Sequence, residues 1–227
     1  MRNITSAVAL LGLLISCAAW PATGTTQWTE GVQYFQVLPA RPVSLPRGKV
    51  EVTEVFSYGC PACNQFLPVM HKLAQSLPAN AVVDYVPASF NASEDWPMFQ
   101  RAFYAAQALG VADKTHDAMF DAVWKNGELA TVDAKTGRLV ERMPTIEDAA
   151  RFYLKIAGVP VQKFIDTSKS FTVDVKIKTA EDFIEACGVD RTPTIIVNGK
   201  YRLHTESAGG SDQLIELVKW LVAKEGH

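Results

Sequence analysis

Apolar residues fall in two rhythms along this chain, and the switch between them divides it. Over residues 49–56, Val50, Val52, Val55 and Phe56 follow one another with few polar breaks, the pattern of a largely buried strand. Directly after it, Phe66, Leu67, Met70, Leu73, Ala74 and Leu77 recur at helical spacing. Pro61 suits the first turn of that helix, where its missing N–H costs nothing, and Pro78-Ala79-Asn80 closes it. Val82, Val83, Tyr85 and Val86 then alternate into a second strand, so strand, helix and strand predict parallel pairing through a right-handed crossover.

Between 91 and 168 the rhythm is helical only. It predicts helices over 96–109, 114–125 and 146–156, and a short one around 161–165, punctuated by Gly110, Asn126-Gly127, Thr136-Gly137, Pro144 and Gly158. A long helix follows, with Val173, Ile177, Ala180, Ile184 and Cys187 on one face and Gly188 as its stop. Thr194-Ile195-Ile196-Val197 reads as a buried strand, Asn198-Gly199 as a hairpin turn, and Tyr201-Arg202-Leu203 as the returning strand. The last helix carries Leu214, Val218, Leu221 and Val222 inward, with Ser211 as its expected cap. Residues 20–48 form a lead-in with an edge strand near Tyr34-Phe35-Gln36-Val37-Leu38. The class is α/β: one unit built from 49–88 and 169–227, interrupted by an all-helical domain at 89–168.

Composition adds exclusions more than selections. With 48% hydrophobic and 20% charged residues among 227, the chain has material for a real core. A net charge of −2 supplies no bulk attraction to nucleic acid or anionic lipid. Met1 and Arg2 precede an apolar run over 4–15 and the small residues Ser16, Ala18 and Ala19, the layout of a secretory signal over 1–19. The run is shorter than the roughly 20 residues of a membrane-spanning helix, so removal is expected and the mature chain enters an oxidising compartment. Leu14-Ile15-Ser16-Cys17 also fits a lipoprotein signal, which would leave Cys17 as a lipid anchor.

The other cysteines are Cys60, Cys63 and Cys187. Three in an exported chain suggest one reactive pair and a lone thiol, not a framework of bridges. Cys60-Pro61-Ala62-Cys63 stands where a strand passes into a helix, placing one sulfur at the helix's amino end and the other about one turn inside. Unpaired N–H groups favour negative charge at that end, so Cys60 reads as the nucleophile and Cys63 as the resolving partner. Half of a zinc site and a plain structural disulfide are the competing readings. Zinc needs three or four ligands, and there is no second cysteine pair or His-x-x-x-His, leaving only Cys187 and His204 to imagine; redox chemistry without metal or cofactor is the stronger reading. Cys187 reads as a small buried residue, with a redox or metal role as its alternative. His71, His116, His204 and His227 show no ligand spacing and read as surface or core residues, and Trp96, Phe99, Phe103 and Tyr104 read most simply as packing of the helical domain, with the lining of a substrate groove as the alternative for some of them.

Phe56-Ser57-Tyr58-Gly59-Cys60-Pro61-Ala62-Cys63 resembles the active-site segment of the DsbA family of thioredoxin-fold proteins. Gly188-Val189-Asp190-Arg191-Thr192-Pro193-Thr194, followed by Val197-Asn198-Gly199-Lys200-Tyr201, is similar to their cis-proline loop and hairpin. The resemblance runs from about Val50 to the C-terminus and implies a thioredoxin fold with an inserted all-helical domain. It implies that Pro193 is cis and, with Thr192, packs on the Cys60–Cys63 pair, supporting substrate binding beside Pro61 and Ala62. It also implies an exported, periplasmic oxidoreductase acting on reduced unfolded exported proteins and reoxidised by a membrane DsbB-type, quinone-linked partner. A monomer is expected.

Two positions depart from or extend that pattern. Glu54 matches a buried acid behind the family's active site, a candidate proton relay, while from sequence alone a strand acid of no consequence is as good a reading. The lysine that often accompanies the acid has no clear counterpart, Asp84 standing near its place. Between the cysteines, Pro61-Ala62 replaces the Pro-His of strongly oxidising members, and the missing imidazolium predicts a less oxidising disulfide. The alternative direction is therefore a reductase or isomerase; the alternative class is an exported metal- or peptide-binding protein using the dithiol as ligand.

Overall fold

The computed structural model describes residues 28–226. The expected signal and Cys17 lie outside them. Five strands form one sheet: β1 (Phe35–Gln36), β2 (Val50–Phe56), β3 (Ala81–Pro87), β4 (Thr194–Val197) and β5 (Tyr201–Leu203), in the order β1-β5-β4-β2-β3. Only β2 and β3 run parallel, and α1 (Pro61–Ser76) makes the crossover between them. With β3 on one side, β4 on the other and both faces covered, β2 is buried along its length, which is why its apolar residues need not alternate.

Between β3 and β4 the chain forms α2 (Trp96–Ala108), α3 (Ala112–Trp124), α4 (Ile146–Ala157), α5 (Val161–Ser168) and α6 (Phe171–Ala186). α7 (Thr205–Ala208) and α8 (Ser211–Glu225) follow β5. One face of the sheet, Val50, Val52, Ile195 and Val197, packs on Phe66, Met70 and Leu73 of α1 and Leu214, Val218 and Leu221 of α8. Val55 and Ile196 face the other way, onto Ala180 and Ile184 of α6 and an aromatic layer of Phe99, Phe103, Phe120 and Phe152. The fold is thus an α/β thioredoxin fold with a helical insertion.

Local chemistry explains the boundaries, including those that differ from the sequence expectation. Thr145 and Asp148 close a reciprocal capping box at the start of α4, and Gly158, at φ 70°, ends it. Ser211 is not the cap of α8 but its first residue. The short α7, too brief for periodicity to register, ends at Gly209 (φ 95°), and Gly210 (φ 135°) takes the cap position without a side-chain bond. A 3-10 turn, Ala92–Glu94, also precedes α2.

Candidate active site

The segment Ser57-Tyr58-Gly59 carries the chain from the buried end of β2 into α1. Cys60 N–H donates to Ser57 O at 3.1 Å and Gly59 N–H to Ser57 Oγ at 3.2 Å, so the turn is closed on itself. Cys60 is the N-cap of α1, its extended backbone (φ −86°, ψ 117°) leaving the sulfur to accept the Cys63 N–H at 3.3 Å. Pro61 occupies the first helical position, where no amide bond is forfeited. Both cysteines are free thiols, Cys63 wholly enclosed and Cys60 4% exposed. The first sulfur is thus less open than its helix-end position alone suggests, because the carbonyl of Thr192 lies 3.6 Å over it and accepts from the thiol.

Charge at the site is shared unequally. The Cys63 thiol, donating to the Cys60 sulfur, is the chief cause of a Cys60 pKa lowered to about 6; burial opposes it, and the hydrogen bond with Thr192 and the amides of Cys63 and Ala62 add to it. Cys63 moves well up, because burial denies its charged form water, its bond to Cys60 favours the thiol, and Glu54 lies near. Glu54, 2% exposed, is pushed well above the carboxylate range by burial and then by charge on Cys60. It shares the face of β2 with Val50 and Val52, the face under α1, and no hydrogen bond to its carboxyl is found among the described residues. Opposite it on β3 stands Tyr85, while Asp84 pairs with Thr53 and so faces the other side of the sheet, near Lys176. The lysine's place beside Glu54 is therefore filled by a tyrosine, not by Asp84.

The residues singled out from sequence come together at one end of the sheet. Thr192–Pro193 is a cis peptide, as is Leu38–Pro39. Pro61 and Ala62 are exposed on the first turn of α1. Ala62, Phe66, Val69, Arg191, Thr192 and Pro193 line a cleft of about 290 Å³ beside the dithiol. A larger cleft, about 410 Å³, is lined by His71, Asp84, Tyr85, Asp113 and His116; neither lining includes a cysteine, but the smaller one is formed by Ala62 from between the cysteines and by Thr192, whose carbonyl meets the Cys60 sulfur, so exchange belongs there. Cys187 is buried, its thiol pushed up to about 11 by burial, and its electrostatic neighbours are Arg41, Arg202 and Glu51.

Sequence reasoning missed the residues that support the turn. Trp96, taken as helical-domain packing, lies against Gly59: a Cβ built there meets Trp96 Cδ1 and Nε1 at 2.6 Å. Trp96 is itself buried and its indole N–H donates to Glu94 at 3.2 Å, so it has little freedom to yield. Gly59→Ala should cost about 1–3 kcal/mol of stability through overpacking. The midpoint of urea unfolding measures this, and a midpoint equal to the parent's means that Trp96 moves aside freely.

The chain is similar to known proteins over most of its length. The thioredoxin family model matches residues 45–217. The thiol:disulfide interchange protein DsbA of Pseudomonas aeruginosa is 33% identical over 226 residues, covering 99% of this chain and 97% of that protein. Its counterpart in Pseudomonas syringae is also 33% identical, over 225 residues, covering 99% and 96%. Among solved structures, the crystal structure of Pseudomonas aeruginosa DsbA superposes with a TM-score of 0.72 at 34% identity, covering 87% of this chain and 94% of that one. The oxidoreductase DsbA from Xylella fastidiosa gives a TM-score of 0.72 at 28% identity, covering 85% and 95%.

Proposed function

The chain belongs to the DsbA family of thioredoxin-fold thiol–disulfide oxidoreductases, and from that premise we propose that it introduces disulfide bonds into exported proteins in the periplasm through Cys60 and Cys63. The observation that carries this reading is the asymmetry of the pair: one sulfur caps α1, accepts the Cys63 amide and has its pKa lowered to about 6 beside the cleft that Ala62 and Thr192 line, while the other is enclosed and its pKa raised. A substrate thiolate attacks Cys60 of the oxidised pair, forming a mixed disulfide, and the bond to Cys63 breaks with its electron pair going to the Cys63 sulfur. That sulfur, buried and ill-suited to charge, takes a proton, and the neutral carboxyl of Glu54 is the nearby donor. The substrate's second thiolate then attacks its own sulfur in the mixed disulfide and expels Cys60. A thiolate with a low pKa is a good leaving group, so the substrate departs oxidised.

Substrates in this reading are reduced, unfolded exported proteins, held in the cleft that Ala62, Thr192 and Pro193 line. A membrane DsbB-type partner restores the disulfide and passes the electron pair to quinone. Signal residues 1–19 direct export, with Cys17 as an anchor where it is lipidated. The missing imidazolium at Ala62 favours a second reading, net reductase activity, and the reduction potential separates the two.

Equilibration with glutathione mixtures across pH, beside an assay of oxidation of a reduced unfolded protein, tests the proposal. Below the Cys60 pKa, reduction takes up two protons and the potential falls by about 59 mV per pH unit. Above about 6 one thiol is already ionised, and the slope halves to about 30 mV per unit. A potential more reducing than the glutathione pool, together with no oxidation of the substrate, refutes the oxidant reading. A steep slope retained well above neutrality refutes the thiolate assignment.

A further inference from the structure

The turn that presents Cys60 is held by residues far from it in sequence. Tyr58, two positions before the cysteine, is fixed at both ends by α3. Its carbonyl accepts a hydrogen bond from Trp124 Nε1 at 2.8 Å, and its hydroxyl is hydrogen-bonded to His116 Nδ1 at 3.0 Å. Trp124 and His116 stand about two turns apart on the helix, near enough in angle to reach one residue from the same side. Phe56 and Phe120 meet the Tyr58 ring edge-on, with centroids 5.1 and 5.0 Å away.

We propose that Trp124 and His116 are positioning residues for the Cys60 sulfur, holding Tyr58 by its carbonyl and its hydroxyl and so fixing the turn that aligns the sulfur on the Cys63 amide. The proposal rests on the reading of Cys60 as the nucleophile. Its mechanical link is short. Cys60 N–H and Gly59 N–H both bond to Ser57, so a shift at Tyr58 moves the cap residue with it. The cap contact it adjusts, 3.3 Å from Cys63 N to Cys60 Sγ, is a well-formed N–H···S bond, so a turn that drifts carries the sulfur away from its donor and weakens it. The Trp124 bond is the more telling of the two, because it goes to backbone in the loop and not to another side chain of the aromatic cluster. His116 is 5% exposed, and burial holds its pKa down to about 4, with Asp117 opposing and His71 assisting. The brace therefore keeps one charge state throughout the range in which Cys60 titrates.

Ultraviolet titration of the Cys60 thiolate in the full-length reduced protein tests this. Tyr58→Phe removes one hydrogen bond and keeps its ring, Trp124→Phe removes the other and keeps a smaller aromatic ring, and each should raise the titration midpoint by roughly half a unit. His116→Leu should match Tyr58→Phe, whereas His116→Gln, whose amide can still bond the tyrosine hydroxyl, should stay with the parent. Unchanged midpoints in folded Trp124→Phe and Tyr58→Phe proteins, whatever their melting temperatures, overturn the proposal and leave these contacts as packing alone. Should Trp124→Phe not fold, Tyr58→Phe, which loses a single buried oxygen, decides the matter in the same way. Cys60→Ser guards the premise: a low titration that survives without Cys60 means that the nucleophile has been misassigned, whatever the brace does.

Discussion

Serine at position 60 is expected to lower oxidation of a reduced protein substrate by on the order of a thousandfold or more, since no sulfur remains at the cleft to form the mixed disulfide. Serine at position 63 should act differently. It leaves the Cys60 thiolate in place without a resolving partner, so adducts with substrate or glutathione accumulate and appear as a mass shift on non-reducing analysis. Because the Cys63 thiol is the main donor to the Cys60 sulfur, the replacement chosen there matters: a serine hydroxyl can still donate, an alanine cannot. Cys63→Ala should therefore show a Cys60 titration displaced upward from about 6, and Cys63→Ser one displaced less. If instead Cys63→Ser traps nothing while Cys60→Ser does, the two roles are exchanged and the helix-end argument fails.

Much of this arrangement is legible in the sequence. The strand, helix, strand order around Cys60 and Cys63 follows from apolar spacing, and the location of a sulfur at a helix start follows from Pro61 immediately after it. Those features are local, and local sequence encodes them. What escaped is long-range. Nothing within α3 marks Trp124 as a donor to a loop residue 66 positions earlier, since its indole would read the same in an ordinary core. From sequence His116 fits the surface or the core equally; it is core, and only the sheet-to-helix packing reveals that its ring nitrogen faces Tyr58. Asp84 shows the same limit at shorter range. Its place beside Glu54 looked plausible along the chain, yet one step of strand register sends it to the opposite face and puts Tyr85 there instead. A four-residue helix such as α7 is invisible for a different reason: it completes barely one turn, so periodicity has nothing to repeat.

Glu54→Gln is expected to make the protein more stable at neutral pH, while impairing the proton traffic proposed for Cys63. The direction follows from linkage. A carboxyl in the unfolded chain titrates near about 4.3, whereas burial, followed by charge on Cys60, pushes the folded group well above its ordinary range. Between those two values the native state holds a proton that the unfolded state has lost, so stability falls as pH rises, by about 1.4 kcal/mol per unit. Glutamine keeps the shape and carries no such slope. The advantage of the variant should therefore be absent in acid, grow through the carboxylate range and level off above the folded value. Denaturant unfolding at several pH values measures it, and the oxidised protein, lacking charge on Cys60, should show a narrower window than the reduced one. Exchange by the variant should slow, because the buried Cys63 sulfur loses its neighbouring acid. A stability difference that stays flat with pH would mean that the carboxyl is solvated as a charge where it sits, and a solvated, ionised Glu54 has no proton ready to hand to Cys63.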